Sequence, residues 1–195
     1  MIELIFATNN QHKADEINKV MNDPFRIITL AEAGIVIDIP EPFDNLQDNA
    51  FEKSRTIHTL TSKNCFSEDT GLFVKSLHGE PGVKSARYAG EGKTSSDNID
   101  KLLFKLQNHE NREAYFQTVI SLILDDKAYF FEGVCTGKIL KKSVGENGFG
   151  YDPIFIPDGA SITFAEMTMD EKNIYSHRKK ATQKLVAFLS QNGNI

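Results

Sequence analysis

Residues 2–7 (IELIFA) form a short apolar run that stops at Thr8, Asn9 and Asn10. A run of that length, bounded by polar turn formers, predicts a buried strand ending in a turn. Ala14, Ile17 and Met21 then recur at helical spacing from about residue 12 to 22, until Pro24 ends the pattern. A second strand is expected near 26–30, and the proline-bearing stretch 38–45 (DIPEPFDN) can only be a loop. The segment 47–62 predicts a helix. NCFSED predicts a strand ending in a turn at Thr70-Gly71, with LFVKSL as a further short strand. Glycines and Pro81 make 79–92 irregular. Helix returns at 97–107, where Ile99, Leu102, Leu103 and Leu106 share a face and Asp97 is the expected cap. Residues 113–124 and 128–140, rich in β-branched and aromatic types and parted by Asp125-Asp126-Lys127, predict a long antiparallel hairpin. A glycine turn, GENGFGYDP, follows, and 176–191 closes the chain as a helix with Ala181, Leu185, Phe188 and Leu189 aligned.

Strands and helices alternate first and a hairpin is inserted later, so the expected fold is α/β, a mixed sheet with helices on its faces and a cleft. The chain of 195 residues can bury a sizeable core as a single domain, or as two lobes sharing one sheet. Composition narrows the class further. With 40% hydrophobic and 25% charged residues the chain falls in the soluble globular range, and no apolar run approaches the roughly 18–20 residues of a membrane-spanning helix. The start, MIELIFATNN, lacks the basic and small-residue features of a secretory signal, so a cytoplasmic location is expected. A net charge of −5 argues against a protein built to grip a nucleic-acid backbone. Cys65 and Cys135 have no Cys or His at metal-ligand spacing and read as reduced, partly buried thiols.

Four constellations could carry chemistry. Thr8, Asn9, Asn10 and Lys13 lie where a strand feeds a helix, a place where backbone N–H groups and the helix dipole attract phosphate; a plain helix cap is the alternative. No Walker loop and no GxGxxG is present. Glu41 in the loop, with Glu68 and Asp69 at the expected strand end, could hold Mg²⁺ through oxygen; otherwise Asp69 accepts turn hydrogen bonds. Phe149-Gly150-Tyr151-Asp152 presents two aromatic rings and an acid, suited to stacking on a purine and accepting from its N–H, unless both rings plug the core. Lys172 with His177 and Arg178 could read a 6-keto purine edge, or could be basic groups solvated on a helix. Ser176-His177, adjacent in sequence, does not make a nucleophilic dyad.

The order and wording of several longer strings resemble the inosine triphosphate pyrophosphatases, or XTP/dITP diphosphatases. These strings are FATNNQHKADE, DNAFEKSR, SEDTGL, GEPGVKSARYAG, GFGYDPIF and TFAEMTMDEKNIYSHRKKA, spread nearly end to end. The resemblance implies two lobes around a long sheet with the active site in the cleft between them, a homodimer, and Mg²⁺-dependent cleavage of ITP, dITP or XTP to the monophosphate and pyrophosphate. Such an activity would remove non-standard purines from the nucleotide pool. By position, the turn Thr8, Asn9, Asn10, Gln11, His12 and Lys13 would bind phosphate. Glu41 and Asp69 would bind metal, with Asp69 also the general base, and Thr70 would touch substrate. Phe149, Gly150, Tyr151 and Asp152 would form the base loop, with Phe149 stacking, while Lys172, His177 and Arg178 would read the purine edge. Glu68 and Thr70 stand where Asp and Ser are more usual, Asp48 replaces a Glu, and Pro42-Phe43 replaces a Gly/Thr-rich string. Two other functions stay open: a pyrophosphatase for other modified nucleotides, and a nucleotide-binding module without hydrolysis.

Overall fold

The computed structural model describes residues 2–21 and 24–192. The fold is α/β, with a mixed sheet in the strand order β2-β1-β3-β5-β6-β7 and a short β4 paired to β3. In chain order the elements are β1 (Ile2–Phe6), α1 (Gln11–Asn18), β2 (Phe25–Thr29), α2 (Leu46–Thr61), β3 (Cys65–Val74), β4 (Pro81–Gly82) and α3 (Ser95–Lys105). They continue with β5 (Glu113–Leu124), β6 (Lys127–Ile139), β7 (Phe155–Pro157), α4 (Met169–Tyr175) and α5 (His177–Asn192). The chain divides into two compact units: 1–69 with 118–133 and 178–195, and 70–117 with 134–177.

In the first unit β1 runs parallel to β2, Leu4 opposite Ile27 and Phe6 opposite Thr29, and parallel to β3, Phe6 opposite Phe66. Phe6 and Phe66 stack with centroids 4.5 Å apart. Around them close Ala14 and Ile17 of α1, Ile120 and Leu122 of β5, and Ala181, Leu185 and Leu189 of α5, all buried. The spacings of α1 and α5 therefore reflect burial, although Phe188 is only partly covered. Helix α1 ends at Asn18, and the expected continuation to Asn22 falls partly outside the described residues. At the hairpin tip only Asp125 and Asp126 lie outside the strands, with φ of 49° and 62°. Positive φ at both central residues is the signature of the tight turn that matches strand twist, and it leaves Lys127 in β6.

The second unit encloses its own core of Leu72, Val74, Ile99, Leu102, Leu106, Phe116, Phe155 and Phe164. Its helix α3 starts two residues earlier than expected. Thr94 is the cap, its Oγ1 accepting the Asp97 N–H, and the Asp97 carboxylate in turn accepts the Thr94 N–H, so both satisfy free helix-start donors. Helix α4, whose short amphipathic pattern is weak, was not expected from the sequence; Thr168 and Glu171 cap it reciprocally. The strand-turn-strand expectation for 65–77 is corrected as well. β3 runs unbroken through Thr70-Gly71, because Gly71 serves close approach and not a turn. A Cβ there would sit 2.6 Å from the Gly82 carbonyl of β4.

Candidate functional site

In the first unit, Thr8, Asn9 and Asn10 fill the junction between β1 and α1. Thr8 Oγ1 accepts from the Asn10 N–H, the Asn9 amide donates to the Ile37 carbonyl, and Asn10 Oδ1 accepts the Lys13 N–H at 3.3 Å. Asn10 is thus a true helix cap. The first turn of α1 contains no acidic residue, so the positive end of its dipole is not offset from within the helix. Gln11 spends its amide on Asp15 at 2.7 Å, and both Gln11 and His12 lie on the exposed side. Lys13 turns inward, its Nζ 2.9 Å from Glu68 Oε1.

Successive side chains of a strand point to opposite faces, and this separates Glu68 from Asp69. Glu68 meets Lys13 and also Arg178, whose Nε lies 2.9 Å from Glu68 Oε2; Arg178 Nη1 in turn bonds Glu16. Burial pushes the Glu68 carboxyl up, but the charges of Arg178 and Lys13 outweigh it and hold it well below the ordinary range. Burial would likewise lower Arg178, yet Glu68 and Glu16 keep its guanidinium charged.

Asp69, on the other face, meets Lys53. The Lys53 ammonium lies 2.5 Å from Glu41 Oε1 and 3.3 Å from Asp69 Oδ1. Glu41 reaches this point because Asn49 grips the proline-bearing loop with both ends of its amide, accepting the Phe43 N–H and donating to the Phe43 carbonyl, each at 2.9 Å. Lys53 is one turn further along α2 than Asn49 and shares its buried face. Burial opposes the Lys53 charge, but Asp69 and Glu41 raise its pKa above the usual lysine value. Burial raises the Asp69 carboxyl, Lys53 pulls it back, and Glu41 raises it further. Asp69 Oδ2 is buried and has no hydrogen-bond partner among the described residues. A buried carboxylate oxygen left over in this way has room for a proton or a cation. No three Cys, His, Asp or Glu side chains converge among the described residues. Two carboxylates suit Mg²⁺, which keeps several waters and takes its remaining ligands from phosphate, better than an ion held entirely by protein.

In the second unit the glycine turn is shaped around Asp152, whose Oδ2 accepts from the Phe149 N–H at 2.9 Å and from Lys172 Nζ at 2.7 Å. Gly148, at φ 74°, is required here, since a Cβ would stand 2.1 Å from that oxygen. Phe149 is half-buried, and Lys172 Nζ lies 5.2 Å from the centre of its ring. Gly150, at φ 62°, has open space where a side chain would be. Tyr151 corrects the expectation of two presented rings: it is a core residue whose hydroxyl donates to the Ser85 carbonyl. Lys172 and His177 are buried, not solvated, and His177 stacks on Phe116 at 4.7 Å within a cluster that includes Phe164. Thr70 sits on β3 in this unit, partly exposed. Arg178 belongs to the first unit, where its Nε and Nη1 bond Glu68 and Glu16.

Lys53 and Glu16 were missed from sequence. The sequence shows only that Lys53 follows Asn49 by one helical turn, and a Lys on an amphipathic helix ordinarily reads as solvated.

The profile of the Ham1 family matches residues 4–188. The chain is 47% identical over 190 residues to a dITP/XTP pyrophosphatase of Porphyromonas gingivalis, covering 97% of this chain and 98% of that protein. It is 44% identical over 187 residues to one of Flavobacterium psychrophilum, covering 96% and 98%. Among solved structures, the Ham1 protein of Staphylococcus aureus superposes with a TM-score of 0.88 at 39% identity, over 97% of this chain and 99% of that one. A HAM1 protein from Coxiella burnetii gives 0.90 at 34% identity, over 98% and 100%.

Proposed function

The chain belongs to the Ham1 family, and from that premise we propose that it hydrolyses non-standard purine nucleoside triphosphates (dITP, XTP and ITP) to the monophosphate and pyrophosphate with Mg²⁺. The observation that carries the chemistry is the buried Asp69 Oδ2, without a hydrogen-bond partner among the described residues, beside Glu41 and Lys53. Glu41 and Asp69 are the residues that would hold the ion, which supplies charge neutralisation for the triphosphate and a more acidic water. Asp69, made more basic by burial, takes a proton from the water that attacks the α phosphorus. Lys53 keeps the two acids from repelling each other. Lys13 and the N–H groups opening α1 receive the departing pyrophosphate. Phe149 stacks on the base, while Lys172, held by Asp152, and His177 donate to the 6-keto edge. Arg178, next to His177 in the chain, acts in this scheme through its carboxylate partners.

Pyrophosphate release from dITP, XTP, ITP, GTP and ATP, with and without Mg²⁺, tests the reading. The expected result is release from the first three only, abolished by a chelator. Binding without release from any would favour a non-catalytic module, and equal rates on all five would remove the base selectivity. Asp69→Asn is expected to lower turnover about 100-fold or more while retaining substrate binding. The homodimer and the cytoplasmic setting belong to the same proposal; sedimentation of the purified chain at a dimer's mass is the expected outcome for the first. Among the described residues no helix is long and apolar enough to cross a membrane.

A further inference from the structure

Glu16 carries no role in the scheme above, yet it is a carboxylate buried to 4% exposure, three residues after Lys13 on α1. Burying an ionised acid is unfavourable unless it is paired, and Glu16 is paired with Arg178. From the inside outward, Glu16, Arg178, Glu68 and Lys13 alternate in sign along one connected path, from Glu16 through Nη1 and Nε of Arg178 and both carboxylate oxygens of Glu68 to the Lys13 ammonium. The first three side chains are at most 5% exposed, and only Lys13, at 16%, begins to reach solvent. The inner end of such a path decides the outer end. Glu16 holds Arg178 at Nη1, Arg178 holds Glu68 Oε2 through Nε, and Glu68 Oε1 lies 2.9 Å from the Lys13 ammonium. Without that anchor the guanidinium loses the buried charge that fixes its orientation, and Glu68, held by it, shifts relative to Lys13.

We infer that Glu16 is a positioning residue: through Arg178 and Glu68 it sets where the Lys13 ammonium stands to meet the phosphates. This rests on the phosphate-binding reading of Lys13. The test is a double-variant cycle in the full-length chain with Glu16→Gln, Lys13→Met and the pair together. It reads KM and kcat for dITP, competitive inhibition by inorganic pyrophosphate, and thermal melting. The expected result is that folded Glu16→Gln binds pyrophosphate about tenfold more weakly, as for loss of one charge-assisted contact. In the Lys13→Met background the same change is expected to have almost no further effect. A Glu16→Gln variant that melts earlier but keeps wild-type KM and pyrophosphate affinity overturns the inference, as do effects that multiply in the pair. Lys13→Met with unchanged pyrophosphate affinity would instead overturn the reading of Lys13 itself. If Glu16→Gln does not fold, Glu16→Asp keeps the charge on a shorter stem; weakened pyrophosphate affinity there supports the inference, and wild-type affinity overturns it.

Discussion

Lys53 and His58 lie five residues apart on α2, and each is defined by what faces it. Lys53 sits between two acids that would otherwise repel, so its charge is structural before it is chemical. His58 has Nδ1 2.9 Å from the Lys63 carbonyl and Nε2 2.9 Å from Asp126 Oδ1. A carbonyl and an ionised carboxylate can only accept, so the pair of contacts is satisfied fully by the imidazolium form, in which both ring nitrogens donate. The Lys63 carbonyl bond, then the Asp126 bond, raise its pKa above the ordinary histidine value, against a small burial penalty. A folded pKa above the unfolded one means that the link stabilises fully below about pH 6.5 and is lost as pH rises through the folded value. An NMR titration of the ring is expected to place His58 above a free histidine, and Asp126→Asn to bring it down.

At the scale of elements, glycines mark where backbone or acid approaches too closely for a side chain. Gly148→Ala would add a Cβ 2.1 Å from Asp152 Oδ2 at a φ that favours glycine. Asp152 must then move and loosen its bond to Lys172. The expected outcome is a KM for dITP raised about tenfold, the loss of a charge-assisted contact, with pyrophosphate inhibition unchanged, since the phosphate site proposed above is built on the β1–α1 junction. Weaker pyrophosphate binding in that variant would mean the glycine turn serves more than the base. The unbroken course of β3 belongs to this scale too. Thr70-Gly71 reads as a turn from composition, but β4 lying against Gly71 keeps the strand extended.

For the whole molecule, each unit has its own apolar core, Ile17 in the first and Leu102 in the second, both fully buried. The chain passes from one unit to the other inside β3, β5 and β6 and at the first residues of α5, not through linkers. Ile17→Ala and Leu102→Ala are each expected to cost about 2–5 kcal/mol. Both should shift one common unfolding transition, followed by circular dichroism and by fluorescence of the tyrosines. Two separated transitions would show that the units melt independently.

Local order was legible in the sequence wherever a short-range rule governs it. Periodicity marked α1, α2, α3, α5 and the β5–β6 hairpin, and Thr8, Asn10 and Lys13 announced a strand-to-helix turn, because spacing and capping act within a few residues. What required the tertiary structure was every decision made by partners distant in the chain. Glu68 and Asp69 are neighbours in sequence yet face opposite sides of β3, one toward Arg178 and Lys13 and the other toward Lys53 and Glu41. Tyr151 went to the core while Phe149 did not, and Lys172, His177 and Arg178 were buried against the expectation for basic groups on a helix. The reason is energetic: a charge is buried only where an opposite charge or acceptor meets it, and that meeting is arranged by the packing of separate elements, which no local pattern records.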